Sequence, residues 1–511
     1  MPWAAAAALS VLLLLPALRP GYLLVYDMVW VPHLALDRDV LGWGSALPRA
    51  VPSDAVVAVL DNVVPAMLLQ RIALFGALLL AAGGALRLVS RGLVPRLVAV
   101  VLVVWNPFVS ERLAIGHWPL LLGYAAVPWL ADAGRQTHGS GRVPWRVYPL
   151  LVVGSLSANA AIVSVATLLA TGWRRGRLRT NLLMAGAGVL FSLPWIVTGL
   201  RHASAATSAS GYDLFAAHGD ELPAPLSLLT LGGIWNRQVV PGSLLGVTAW
   251  LLLLLVVGLA VLGWRRWRAS VGRRQAVALV VLWVAGYAIA LLSWLVPSWL
   301  GWIGGHVPGA GLLRDGSRSL ALCVPLFVSL LVAGVVEAVE GARAAGAKAV
   351  LTGVAVLLPV ALLPDAGIQH VQPTTGVEYP QEWADVRALI GDDGGGTVLL
   401  LPYSAYRAPA WNGGVPVLDP LGRYLEQPYV ASDDLIVDDA VIAGEDPHAA
   451  DVRAALTAGL GPDELARRLA ALGIRWVVTE KDAPVDAYGP APLLAGTVLH
   501  DGNLLEVARM P

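Results

Sequence analysis

The sequence predicts an α-helical polytopic membrane protein, with about ten transmembrane helices in residues 1–364 and a small extracytoplasmic α/β domain in residues 365–511. Three observations predict it. Of the 511 residues 57% are hydrophobic and 14% charged, whereas an ordinary soluble domain carries about 25% charged residues. Apolar runs suited to crossing about 30 Å of hydrocarbon recur as far as Leu363. After Pro364 they stop, Gly and Asp become common, and short β-type runs take their place.

The first apolar run, Met1 to Leu18, lacks the basic n-region and the small-x-small cleavage site of a secretory signal, so a retained helix is expected. Others follow from Met67 to Leu86, Leu97 to Val109, Trp118 to Leu130 and Val147 to Thr171. The remaining ones are Leu182 to Leu200, Leu244 to Leu262, Ala276 to Val296, Leu320 to Val336 and Ala349 to Leu363. Arginines in short loops favour the cytoplasmic side. They gather at Arg87, Arg91 and Arg96, at Arg135, Arg142 and Arg146, at Arg174 to Arg179, and at Arg265 to Arg274. One straight crossing by Val147 to Thr171 would put Arg174 to Arg179 outside. That segment is therefore expected to break near Ser157-Ala158-Asn159 and return, with its irregular backbone covered by protein or a wet cavity. The N-terminus is then inside a bacterial cytoplasmic membrane. Pro20 to Ala66, Arg201 to Ser243 and everything after Pro364 face outward.

Two outward segments, Ser53 to Asn62 and Tyr212 to Leu231, mix polar and apolar residues as helices lying on a bilayer do. In the tail, Thr397 to Leu401 (TVLLL) and Arg475 to Thr479 (RWVVT) read as strands. Asp451 to Leu472 between them has helical periodicity, with Pro462 near a first turn and Gly473 as a stop. Zero formal net charge gives no reason to expect a nucleic-acid partner. The single cysteine, Cys323, excludes disulfides within the chain and cysteine-based metal sites. Only two lysines, Lys348 and Lys481, stand among 35 basic residues, a bias expected of a GC-rich bacterial genome.

Three outward stretches hold residues that could carry chemistry. Asp27 lies in an apolar and aromatic stretch (Tyr22 to Pro32), where burial would raise its pKa as a general base requires; capping a surface helix is the structural alternative. Asp37 and Asp39 flank Arg38 and read as a solvated ion-paired turn, although an Asp-x-Asp spacing can also hold a divalent cation. Between Trp105 and Trp118, Pro107 ends a helix and leaves Glu111, Arg112 and His117 at the outer membrane face, where an arginine fork suits a phosphate. An interfacial aromatic belt with a snorkelling Arg–Glu pair is the plainer reading. Arg314 and Arg318, four apart, would share one face of a helix on the side where positive charge is disfavoured. Binding a lipid phosphate is one reason, and pairing with Asp315 or lipid headgroups is the other.

With Asp27 in the first outward loop, Asn106-Pro107-Phe108 followed by Glu111-Arg112 and Gly116, and Leu313-Arg314-Asp315 in that order, the chain resembles the GT-C superfamily of polytopic membrane glycosyltransferases. The likeness lies nearest the actinobacterial arabinofuranosyltransferase D-like group. The resemblance covers nearly the whole length and implies a polyprenyl-phosphate sugar donor, a glycan or glycolipid acceptor, and a first-loop acid as base, which falls on Asp27. The chain is smaller than the large members, has no evident carbohydrate-binding modules after the membrane part, and lacks a paired-acid motif beside Asp27. A divalent cation is possible on this reading and no cofactor is certain. The expected activity is cell-envelope glycan assembly on the outer face of the cytoplasmic membrane. Arg112, Arg314 and Arg318 with Glu111 and His117 would then receive the donor phosphate and substrate. A lipid or polysaccharide flippase is the alternative, and it predicts acids in mid-helix and inverted repeats. A non-catalytic GT-C-like scaffold is a third reading.

Overall fold

The computed structural model describes residues 1–202, 210–307, 309–371, 376–437, 440–482 and 495–511. In chain order its helices begin with α1 (Pro2–Leu13), α2 (Ser53–Leu60), α3 (Ala66–Leu88), α4 (Leu93–Val104), α5 (Pro107–Ala114), α6 (Trp118–Ser140) and α7 (Val147–Val153). Next come α8 (Ala158–Gly172), α9 (Leu178–Arg201), α10 (Ser210–Leu214), α11 (Ala224–Leu229), α12 (Val247–Ser270), α13 (Arg273–Leu295), α14 (Pro297–His306), α15 (Val324–Gly341) and α16 (Ala345–Leu362). The C-terminal helices are α17 (Gln381–Asp392), α18 (Leu421–Tyr424), α19 (Pro447–Thr457) and α20 (Pro462–Ala471). Two compact units result. Unit 1 comprises Met1–Leu18, Arg71–Val197 and Ala209–Val371; unit 2 comprises Arg19–Gln70, Thr198–Ser208 and Gln372–Pro511.

Unit 1 holds the membrane helices. Each apolar run of the sequence forms a helix, but among the described residues seven spans are long and apolar enough to cross a membrane, fewer than the ten expected. The 12-residue α1 and the 15-residue α8 are too short to qualify. The 23-residue α6 is diluted by Gly, Pro and polar residues such as Asp132 and Arg135. Where hydrocarbon cannot drive helices together, close backbone approach does. Gly263 of α12 and Gly334 of α15 supply it: a Cβ at Gly334 would lie 2.2 Å from the Leu259 carbonyl oxygen.

The expected break in Val147 to Thr171 is present. After α7 the chain passes Gly154, and the Ser157 hydroxyl caps α8 by accepting from the Ala160 amide at 3.3 Å. Ser164, two turns into α8, donates to the Gly154 carbonyl at 3.2 Å, so α7 doubles back beside α8. This reversal removes the parity conflict and yields a labelling prediction. Cys323 is buried, so single cysteines introduced at the exposed positions Arg177 and Asp463 report cleanly. Arg177→Cys should react with a membrane-impermeant maleimide only in inverted vesicles and Asp463→Cys only in intact cells. Labelling of both from one side would overturn the assigned topology.

Unit 2 is built on a five-stranded sheet of β1 (Thr397–Leu401), β4 (Tyr429–Val430), β7 (Ile474–Glu480), β8 (Thr497–Asp501) and β9 (Leu505–Arg509), in the order β4-β1-β7-β9-β8. Between them lie β2 (Tyr406–Arg407), β3 (Val417–Leu418), β5 (Leu435–Val437) and β6 (Ala440–Ile442). Both expected strands are present, and they pair in parallel with Leu399 opposite Val477. The helical stretch between them is two helices rather than one. Gly459, at φ +67°, and Pro462, which lacks an amide donor, interrupt it. Gly473 ends α20 at φ +85°. Val452 of α19 and Leu465 and Leu469 of α20 bury against Leu399 and Val477.

The first outward segment packs within the same unit. Tyr22 exchanges backbone hydrogen bonds with Val377 at 2.7 and 2.9 Å, the Tyr26 amide donates to the Pro416 carbonyl at 2.7 Å, and Asp54 of α2 pairs with Arg423 at 2.9 Å. Ser53 to Asn62 is helical as expected over Ser53–Leu60. Tyr212 to Leu231 in unit 1 forms only the short α10 and α11.

Candidate functional site

Pro107 does not merely end a helix; it opens the next one. Asn106 sits in an extended conformation between α4 and α5, and its side-chain oxygen accepts from the Val109 amide at 3.1 Å while Pro107 takes the first turn. The turn swings Glu111, Arg112 and, after α5, His117 into the interior of unit 1. They are not surface groups: Arg112 is fully buried, and Glu111 and His117 are buried too.

Arg112 donates from Nη1 to Asp315 Oδ2 at 3.0 Å and lies 3.2 Å from His117 Nδ1, and Nη2 meets the Ser317 hydroxyl. Its guanidinium also stands 5.4 Å over the Phe108 ring. Asp315 is the hub, because its Oδ1 accepts from Ser317 at 2.6 Å and its Oδ2 from Arg318 Nε at 2.9 Å. Burial raises the Asp315 carboxyl, but Arg112 and then Arg318 outweigh it and hold the group well below the usual carboxylate range. Asp315 is thus a permanent anion tying two guanidiniums together.

Arg314 and Arg318 do not share a helical face. Ala310–Leu313 and Gly316–Cys323 are separate 3-10 turns, and Asp315 at φ −97°, ψ 83° breaks the register between them. Arg318 turns to Asp315, whereas the Arg314 guanidinium stacks 4.3 Å from the Phe215 ring, itself edge-on to Trp235 at 4.4 Å. Both arginines keep partial exposure. Glu111 points elsewhere, toward the Gly232–Ile234 turn: the Gly233 and Ile234 amides donate to its carboxylate, and a Cβ at Gly232 would come within 3.2 Å of it. Beyond that turn Asp220 pairs with Arg237 at 3.0 Å. Sequence reasoning missed the roles of Ser317, Asp220 and the paired glycines Gly232-Gly233. The glycine pair was the available signal.

Asp27, Asp37 and Asp39 belong to unit 2. The hydrophobic neighbours Val25, Met28, Val29 and Trp30 are buried, but Asp27 itself is exposed at the tip of a tight turn, contrary to the expectation of an apolar setting. Nor does it cap a helix; the Tyr406 hydroxyl donates to its Oδ1. Burial and the neighbouring Asp27 carboxylate push the Tyr406 phenol well above its usual range, so it stays a donor. Asp37 closes a turn by accepting from the Val40 amide at 2.8 Å, and Asp39 is exposed. Among the described residues no group of three or more His, Cys, Asp or Glu is placed to hold a metal ion.

An apolar groove of about 410 Å³ also opens on unit 1, lined by Leu12, Leu15, Trp105, Leu357, Val360 and Gln369. Trp105 is fixed there by its indole N–H, which donates to the Leu363 carbonyl at 2.9 Å.

No protein-family profile and no curated protein sequence matches the chain. Among solved structures, it is similar to the arabinofuranosyltransferase AftD from mycobacteria, with a TM-score of 0.57 and 18% identity over 99% of this chain and 41% of that one. It therefore spans less than half of the protein it matches. The oligosaccharyltransferase of Archaeoglobus fulgidus, solved with zinc and sulfate, aligns with a TM-score of 0.44 and 10% identity over 94% of this chain and 68% of its own. Helices, breaks and terminal sheet together give the chain the GT-C-like membrane fold.

Proposed function

We propose that the chain is a membrane glycosyltransferase that takes a sugar from a polyprenyl-phosphate donor and passes it to a glycan or glycolipid acceptor at the outer face of the cytoplasmic membrane. The observation that carries this reading is the meeting, in unit 1, of Arg112 and His117 with Asp315, Ser317 and Arg318, about two hundred positions further along. A donor with an isoprenoid tail is delivered only within the bilayer, and its phosphate lies at the interface. The partly exposed Arg314 and Arg318 suit that phosphate, since a guanidinium offers paired donors and keeps its charge. Arg112, whose terminal nitrogens are engaged, is a positioning residue that holds the Asp315–Arg318 turn. The groove beside Trp105 is apolar enough for a tail. Asp27 is assigned as the base that accepts the acceptor hydroxyl's proton, oriented by Tyr406. One direct displacement at the anomeric carbon then inverts its configuration, and the lipid phosphate departs with the bonding pair.

The direct test incubates the purified protein with radiolabelled polyprenyl-phosphate sugars and a glycolipid acceptor. Transfer should occur with at least one sugar. Arg314→Ala should raise KM for the donor about tenfold, as loss of a charged hydrogen bond does, with kcat little changed; Arg314→Lys should recover part of it. No transfer with any sugar, together with equal donor binding by parent and Arg314→Ala, would favour a scaffold.

A further inference from the structure

A second charged cluster of unit 1 takes no part in that reading. Asp132, buried in α6, accepts from Arg87 Nε at 3.0 Å, Arg135 Nη2 at 2.6 Å, Gln136 Nε2 at 3.0 Å and Arg146 Nη2 at 2.9 Å. One carboxylate cannot neutralise three guanidiniums. Among the described residues Asp132 is the anionic partner of all three, so positive charge is left over, and the buried Nε–H of Arg146 has no acceptor. Burial pulls the Arg146 guanidinium down, Asp132 opposes that, and the like charges of Arg87 and Arg135 add to the cost. The Arg87 and Arg135 side chains keep 42% and 57% of their surface open, so an anion can reach the cluster.

The surroundings say which anion. Arg87 lies in the last turn of the apolar span Ala66–Leu88. Trp145, 79% exposed, and Tyr148, 40% exposed, flank Arg146, and exposed Trp and Tyr beside a span end mark the headgroup level of a bilayer. Asp132 is fourteen residues along α6 from Trp118, or about 21 Å at 1.5 Å per residue. The cluster thus lies well away from His117 and the Arg112 network.

We infer that Arg87, Arg135 and Arg146 form a binding site for the phosphate of an anionic membrane lipid headgroup. Asp132 holds the three forks in register and the lipid phosphate supplies the missing negative charge. Binding involves no covalent step.

Native mass spectrometry of the detergent-solubilised full chain tests this, with phosphatidylglycerol, phosphatidylcholine and inorganic phosphate as probes. The protein should retain phosphatidylglycerol in preference to phosphatidylcholine, and Arg87→Gln, Arg135→Gln and Arg146→Gln should each weaken that retention about fivefold. Arg268→Gln, outside the cluster, should leave the tightest lipid in place. Arg135→Gln keeps Asp132 paired with Arg87 and Arg146, so it reports even if Arg146→Gln does not fold. Equal retention of the two lipids, or unchanged phosphatidylglycerol binding in Arg135→Gln and Arg87→Gln, would overturn the site. Displacement of the lipid by an equal concentration of inorganic phosphate would overturn its assignment to a lipid.

Discussion

Asp27→Asn should lower the rate of sugar transfer by about a hundredfold to ten-thousandfold, the loss typical when a general base is removed. The substitution keeps the shape of the side chain and its acceptor oxygen for the Tyr406 hydroxyl, so folding should be unaffected and donor KM should stay near that of the parent. This pattern, a fall in kcat without a rise in KM, is opposite to that expected for Arg314→Ala and separates proton transfer from phosphate binding. Tyr406→Phe should have a smaller effect, because it loosens the carboxylate without removing it. Full activity in Asp27→Asn would exclude Asp27 as the base and pass the role to Asp37 or Asp39. The same measurement on Asp37→Asn and Asp39→Asn would then decide between them.

The second large effect is on stability. Asp315→Ala should destabilise the protein by about 3–5 kcal/mol, because it strands the buried charge of Arg112; Arg112→Ala should cost less, because Asp315 keeps Arg318 as its partner. Replacing both at once, as Arg112→Met with Asp315→Leu, should cost less than Asp315→Ala alone, since the charge left behind is that of the partly exposed Arg318 and not the buried Arg112. Thermal unfolding of the detergent-solubilised protein measures all three, and a double variant weaker than both singles would refute the pairing. The pH dependence has a definite sign. The folded Asp315 carboxyl lies below its ordinary value of 3.8, so its contribution is complete above that value and is lost as pH falls toward the folded pKa. The penalty of Asp315→Asn should therefore be constant from pH 8 to about 5 and shrink only below about 4.

The sequence by itself determined whatever depends on local pattern. Runs of Leu, Val and Ala fixed where the helices form, because an apolar stretch has no lower free energy than a helix in hydrocarbon. The arginine clusters and the Ser157-Ala158-Asn159 interruption were enough to locate a broken segment before its hydrogen bonds were visible. TVLLL and RWVVT declared themselves as strands because β-branched and aliphatic residues favour a buried pleat.

Only the tertiary structure decided which residues meet. Glu111 and Arg112 are adjacent, yet α5 turns one to the Gly232–Ile234 turn and the other to Asp315. No local signal records which side of a short helix faces which distant loop. Arg314 and Arg318 have helical spacing, yet the break at Asp315 sends one to an aromatic ring and the other to a carboxylate. Asp27 lies among hydrophobic residues in sequence, but a tight turn buries its neighbours and exposes the acid itself. Asp132 shows the same limit from the other side. Arg135 lies one turn away on the same helix, but Arg87 comes from α3 and Arg146 from beyond the end of α6, and a buried charge is stable only once packing has delivered its partners.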